Sequence, residues 1–277
     1  ILPQMTPIAE LDDDEIFFNG FNLSEAFREE RPTIGKEERL FIFSRLIMSK
    51  PNDFGLKQIS LAQALSLAID LAKLIDTACS QGLSLDKLQD LVPEKYATHW
   101  QETLKLLKII TEYWPQILAE RKAVDCCDLK NRLLFHQAAL WQKEKTQQNV
   151  VAAGITACFP SVVALLKSIR KLPHGEIYFA GIDRFADNSY WDAVDETHPL
   201  YENKILLELL GINRKSVIDI SAPLRPEREK FISEIMRPAP VSDKWRNLPS
   251  DFDITRATSG ISFFYCNTQR DEALGTA

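Results

Sequence analysis

Apolar residues return at helical spacing through the first half of the chain, and that texture breaks after Asn149. Ser60-Leu61-Ala62-Gln63 has the form of a capping box, in which the serine hydroxyl and the glutamine side chain each satisfy a backbone N–H that the first helical turn leaves unpaired. Behind it Leu61, Ala64, Leu65, Ala68, Ala72, Ile75 and Cys79 make one apolar stripe, which Gly82 should end. Thr98-His99-Trp100-Gln101 repeats the box, with Trp100, Leu104, Leu107, Ile110, Trp114 and Ile117 as its stripe; Pro115 should kink or end that helix. A third helix is predicted from about Asp128 to Lys145 through Leu129, Leu133, His136 and Leu140, with His136 as a core histidine. Residues 36–147 therefore read as one helical subdomain.

Past Asn149 the periods shorten. Val150–Gly154 reads as a buried-type strand, Phe159–Ile169 as a helix, and Gly175–Gly181 as a second strand. Strand, helix, strand within about thirty residues is the crossover unit of a parallel sheet. A stretch rich in proline and charge follows (Pro223, Pro226, Pro238, Pro240, Pro249), and Ile261–Cys266 reads as a last strand with a helix beginning after it. At the other end, Pro3 and Pro7 hold residues 1–11 extended, and Asp12-Asp13-Asp14-Glu15 fits a solvated helix N-terminus better than a metal cluster. The fold class expected is mostly α with a small parallel α/β sheet.

Charge narrows the possible partners. The 277 residues carry a formal net charge of −6, unlike a small module that clamps phosphates over its whole surface. Arg214, Lys215, Arg225, Arg228 and Lys230 are the densest basic group and the candidates for DNA contact; a solvated linker and helix face is the plainer reading of the same five. No apolar run reaches the length of a membrane span, and no signal peptide is visible, so a cytoplasmic setting without membrane contact is expected. Cys79, Cys126, Cys127, Cys158 and Cys266 are scattered and odd in number, which predicts reduced, structural thiols. The chain opens on Ile1-Leu2-Pro3 and stops as a helical pattern begins, as a piece of something longer would.

Catalytic motifs are missing where they could be recognised. GxxxxGK[ST], GxSxG, HExxH and GxGxxG do not occur. Asp-Glu pairs stand at 14–15, 195–196 and 271–272, but Asn267-Thr268-Gln269-Arg270 separates the last from its predicted strand, so its carboxylates would not emerge at the strand's end. No catalytic, cofactor-binding or metal-binding residue is assigned.

One resemblance covers essentially the whole chain. Leu91-Val92-Pro93-Glu94-Lys95-Tyr96-Ala97-Thr98-His99-Trp100-Gln101-Glu102-Thr103-Leu104 is similar to the LVPExYAxHWQxTL stretch of alphaproteobacterial AddB, a subunit of the helicase–nuclease of double-strand-break repair. The opening ILPQMTPIAELDDDEI, then Asn131-Arg132-Leu133-Leu134 with Gln137, Ala138 and Trp141, and Ala153–Pro160 resemble the same family. Gly181-Ile182-Asp183, Trp191, His198-Pro199 and Leu206–Gly211 fall in its order. Ile261–Cys266 with Gln269-Arg270-Asp271-Glu272 is similar to a strand of RecC, a related inactivated helicase subunit. The resemblance implies a degenerate superfamily-one helicase motor-like domain (1–20 and 150–210) with a helical insertion (21–149), a linker with helices (211–260), and the start of a second α/β domain (261–277). It implies a non-catalytic scaffold segment that holds no cofactor, contacts an AddA-like helicase subunit and binds single-stranded DNA weakly. The family's nuclease and iron–sulfur cysteines lie outside the matching region. A stand-alone helical protein-interaction module with no DNA role is the competing expectation.

Overall fold

The computed structural model describes residues 5, 8, 17–18, 21–22, 32–54, 59–85, 97–144, 146–248 and 252–276. In chain order they form the strand pair β1 (Phe17–Phe18) and β2 (Phe21–Asn22), then β3 (Thr33–Ile34), α1 (Lys36–Ser49), α2 (Leu61–Ser80), α3 (Ala97–Lys108), α4 (Trp114–Glu120), β4 (Val124–Asp125) and α5 (Cys126–Lys143). There follow β5 (Val150–Ala153), α6 (Pro160–Ile169), β6 (Gly175–Tyr178), α7 (Asn188–Ala193), α8 (Tyr201–Leu210), α9 (Pro226–Ile235), α10 (Ile254–Thr258) and α11 (Gln269–Thr276). The chain is mostly helical, with small two-stranded sheets. It divides into two compact units: residues 1–153 with 157–178, and residues 154–156 with 179–277. The predicted N-terminal extended stretch and the 12–15 acidic run lie outside the described residues, apart from isolated positions.

In the first unit Ser60 caps α2 as its neighbours predict: its hydroxyl accepts the Gln63 N–H at 3.3 Å, and Gln63 Oε1 accepts the Ser60 N–H at 3.0 Å. The helix ends at Gly82, whose φ of 66° lets the Leu83 and Gly82 N–H groups turn back onto the carbonyls of Ala78 and Cys79. The buried face runs through Ala64, Ala68, Leu71, Ala72, Ile75 and Ala78. It is rotated from the predicted stripe, because Leu61 is 65% exposed and Leu65 also faces out. Four of those six buried positions are alanine, which lets α1 lie close along α2. Phe43, Ile47, Leu107, Ile109, Ile110 and Trp114 complete this core.

Pro115 acts on the turn before it. Lacking an N–H, and with its ring against the carbonyl four residues back, it cannot continue a regular ladder. The chain answers with a wide π turn over Ile109–Tyr113, in which the Trp114 N–H reaches back to Ile109 O. The helix carrying this stripe begins at Ala97, so Thr98 lies within its first turn rather than capping it. α5 begins at Cys126 instead of Asp128, capped by Asp125, whose carboxylate accepts the Cys127 N–H at 2.9 Å. His136 is exposed, not a core histidine; the buried face of α5 runs through Leu129, Leu133, Leu134, Gln137, Ala138 and Trp141. Within the stretch predicted to be all helix, β4 makes a two-residue parallel ladder with β3.

The strand–helix–strand reading of the second half holds: β5 and β6 pair in parallel, Val150 opposite Gly175 through Ala153 opposite Tyr178. Gly175 is required there, since a Cβ would stand 1.8 Å from Ile169 O. The strands are not of buried type, however. Ala152 alone in β5 is buried and Val151 is 54% exposed, because α6 packs on a sheet that has two strands among the described residues.

The second unit is helical. Ala186, Tyr190, Val194 and Leu200 form a small core around α7, α8 buries Leu206, Leu207 and Leu210, and α9 packs on α10. Ile261–Cys266, predicted as a strand, is extended but pairs with no other strand among the described residues; α11 follows it.

Candidate functional site

In parallel α/β units ligands gather at the carboxyl ends of the strands. Here β5 ends in Ala153, and Gly154 turns the chain at φ 67° into Ile155-Thr156-Ala157-Cys158-Phe159 before Pro160 starts α6. This connection presents no carboxylate for a metal and no lysine for a phosphate. Among the described residues no group of three or more His, Cys, Asp or Glu is arranged to hold a metal ion.

The five basic candidates separate into two places in the second unit. Arg214, in a short 3-10 turn (Arg214–Ser216), stacks over Trp191 at 4.8 Å and donates to the Ala186 carbonyl and to Asn188 Oδ1. Lys215 beside it is exposed and lines a shallow pocket of about 360 Å³ with Trp191, Asn188 and Asn213. Arg225 precedes α9. Arg228 donates to Ala257 O and Ser259 O at the end of α10, and Lys230 sits over the Phe252 ring at 5.6 Å. Arg214 and Arg228 thus have structural bonds inside the unit.

A better-built polar site lies between α7, the start of α8, and α9. Arg237 is buried and makes two bonds to Glu234 (2.9 and 2.7 Å), one to Asp187 (3.1 Å), and a stacking contact on Tyr190 at 5.2 Å. Asp187 caps α7 through the Tyr190 N–H and also accepts Lys244 at 2.8 Å. Burial works to raise its pKa, but the bonds from Lys244, Ser189, the Tyr190 N–H and Arg237 outweigh that and hold the carboxyl well below the usual carboxylate range. His198 Nδ1 accepts the Leu200 N–H at 3.0 Å, so the neutral ring carries its proton on Nε2, which donates to Met236 O at 2.8 Å. Tyr190 Oη, 3.2 Å from the same Nε2, is then a second acceptor and keeps its own proton for another direction. Burial first, and then the Asp183 carboxylate, push the Tyr190 hydroxyl up to about 12.

Tyr190 and His198 line a pocket of about 340 Å³ whose walls include Ile182, Phe185, Leu200 and Ile232. Ser233 also lines it; its hydroxyl is buried and finds no hydrogen-bond partner among the described residues. The arrangement can hold a small apolar group. Its polar lining also includes Asp183, Arg184 and Glu229, while the histidine is committed to backbone groups on both ring nitrogens.

No protein-family model, curated protein or solved structure matches this chain. None of the described helices is long and apolar enough to cross a membrane.

Sequence reasoning missed the charged residues that organise both units. Arg39 is 1% exposed and donates to Asp125 (2.9 and 3.1 Å) and Asp76 (2.8 Å), while Trp114 Nε1 donates to Asp125 at 3.1 Å. One buried cation so joins α1, α2 and the start of α5. The available signal is an arginine on the apolar face of α1, in register with Phe43 and Ile47.

Proposed function

We propose that this chain is a non-catalytic scaffold segment of an AddB-like subunit in a helicase–nuclease of double-strand-break repair, seated against an AddA-like helicase subunit and touching single-stranded DNA weakly. One observation carries the scaffold reading: Ile261-Ser262-Phe263-Phe264-Tyr265 is an extended apolar run standing in solvent, with Phe263 85% and Tyr265 99% exposed. An unpaired, strand-type aromatic segment is costly to leave uncovered and is the surface that another chain or sheet covers. The open face of β5–β6, with Val151 and Tyr178 exposed, has the same character. The carboxyl end of β5, which lacks acid and lysine, supports a motor-like unit without hydrolytic chemistry. The net charge of −6 limits DNA contact to a local cluster, for which Lys215 and Arg225 are the exposed candidates.

The test is co-purification with a co-expressed AddA-like helicase subunit, alongside anisotropy with labelled single-stranded DNA. The chain should co-purify, and a variant with Phe263→Ser, Phe264→Ser and Tyr265→Ser should lose the partner while keeping its helical circular dichroism. DNA binding should be weak and fall as salt rises, with no DNA-stimulated ATP turnover. Retention of the partner by the triple variant, or turnover abolished by mutating one acidic residue, would overturn the reading.

A further inference from the structure

Two cysteines far apart in sequence meet in the first unit. Cys79 closes the last turn of α2 and Cys127 opens the first turn of α5, and each sulfur contacts the other cysteine's helix. Both are half-buried, so a small reagent from solvent can reach them. Their surroundings hold them in place. Asn131 Nδ2 donates to Cys79 O at 2.8 Å and approaches Cys79 Sγ at 3.4 Å, while Asn131 Oδ1 accepts the Ser161 hydroxyl at 2.8 Å. Ser80 Oγ lies 3.7 Å from Cys127 Sγ, and the Asp76 carbonyl 3.8 Å from it. Adjacent Cys126 points elsewhere, with its sulfur 3.7 Å from Asp125 Oδ1.

We propose that Cys79 and Cys127 are a dithiol modification site, which a hydroperoxide oxidises to a disulfide tying the end of α2 to the start of α5. The pair is unequal in the way this chemistry needs. The neighbouring Cys79 thiol, aided by Ser80 and opposed by burial, lowers the Cys127 pKa, and Cys127 together with burial raises that of Cys79. Cys127 is the attacking thiolate: its sulfur takes the terminal oxygen of the hydroperoxide, the O–O bond breaks, and the alcohol leaves with a proton. Cys79 then attacks Cys127 Sγ, its S–H proton leaves with the hydroxyl as water, and the S–S bond forms. Two thiols and one hydroperoxide give one disulfide, one alcohol and one water; the two electrons lost by sulfur reduce the peroxide.

The experiment uses the full chain, treated with one equivalent of hydrogen peroxide under native conditions, alkylated, digested with trypsin and read by mass spectrometry. The peptide containing Cys79 should be linked to the peptide containing Cys126 and Cys127, with the mass of two hydrogens lost, while exposed Cys266 stays alkylated. Dithiothreitol should restore both thiols. The link should persist in Cys126→Ser and vanish in Cys127→Ser. The unsubstituted chain shows whether the link forms and Cys126→Ser assigns it to Cys127, so a Cys127→Ser variant that folds poorly does not leave the proposal undecided. Oxidation of Cys266 with Cys79 and Cys127 still alkylated, or a link that survives Cys127→Ser, would overturn the proposal.

Discussion

Asp125 does three jobs with two oxygens. It neutralises buried Arg39, accepts the Trp114 indole N–H, and caps α5 through the Cys127 N–H. Burial, the largest single effect on Arg39, acts to lower its pKa, but the bonds and charges of Asp76 and Asp125 more than offset it and leave the guanidinium more firmly protonated than usual. Such a pair is costly to break from one side, because the remaining charge has no water to return to. Asp125→Ala should therefore destabilise the chain by about 3–5 kcal/mol, a range typical of buried pairs cut on one side. The double variant Arg39→Met/Asp125→Ala should lose less than the two single losses combined, since it strands no cation. Urea denaturation of the four proteins measures this. A loss under about 1 kcal/mol for Asp125→Ala would mean that Asp76 alone satisfies the arginine.

At the scale of elements, local chemistry was legible and facing was less so. The Ser60 capping box, the stop at Gly82 and the β5–α6–β6 crossover could be read because each depends on residues next to one another in the chain. Leu61 and His136 turned outward because a stripe a few positions wide fits two adjacent helix faces, and only the partner helix selects one. The π turn before Pro115 shows the same limit: the proline announces a break, but the packing of Ile109, Ile110 and Trp114 decides that the helix bulges and continues. The polar sites were illegible for a different reason. Arg39 with Asp125, and Arg237 with Asp187, join residues dozens of positions apart. Leu107, just ahead of the bulge, lies in the buried core as the stripe predicted. Leu107→Ala should cost about 2–5 kcal/mol, the range for a truncated core leucine. A thermal shift near zero would show that the bulge lets neighbouring side chains close the gap.

For the molecule as a whole, the two units rest on different supports, and acid should separate them. The first has a broad apolar core of long helices. The second has short helices around a small core, and leans on Asp187 to gather α7, Arg237 and Lys244. Because the folded Asp187 carboxyl lies below its unfolded value of about 3.9, its contribution is present above that pH and is lost as the pH falls toward the folded value. Lowering the pH from about 5 to 3 should thus weaken the second unit, with Asp187→Asn less stable at neutral pH and less sensitive to acid. Amide hydrogen exchange resolved by peptide can follow α7 and α9 separately from α2 and α5. Protection in α7 should fall first in the parent protein, and by a smaller factor in Asp187→Asn. An equal acid response in the two proteins would assign the acid lability to other carboxylates and leave Asp187 as a helix cap alone.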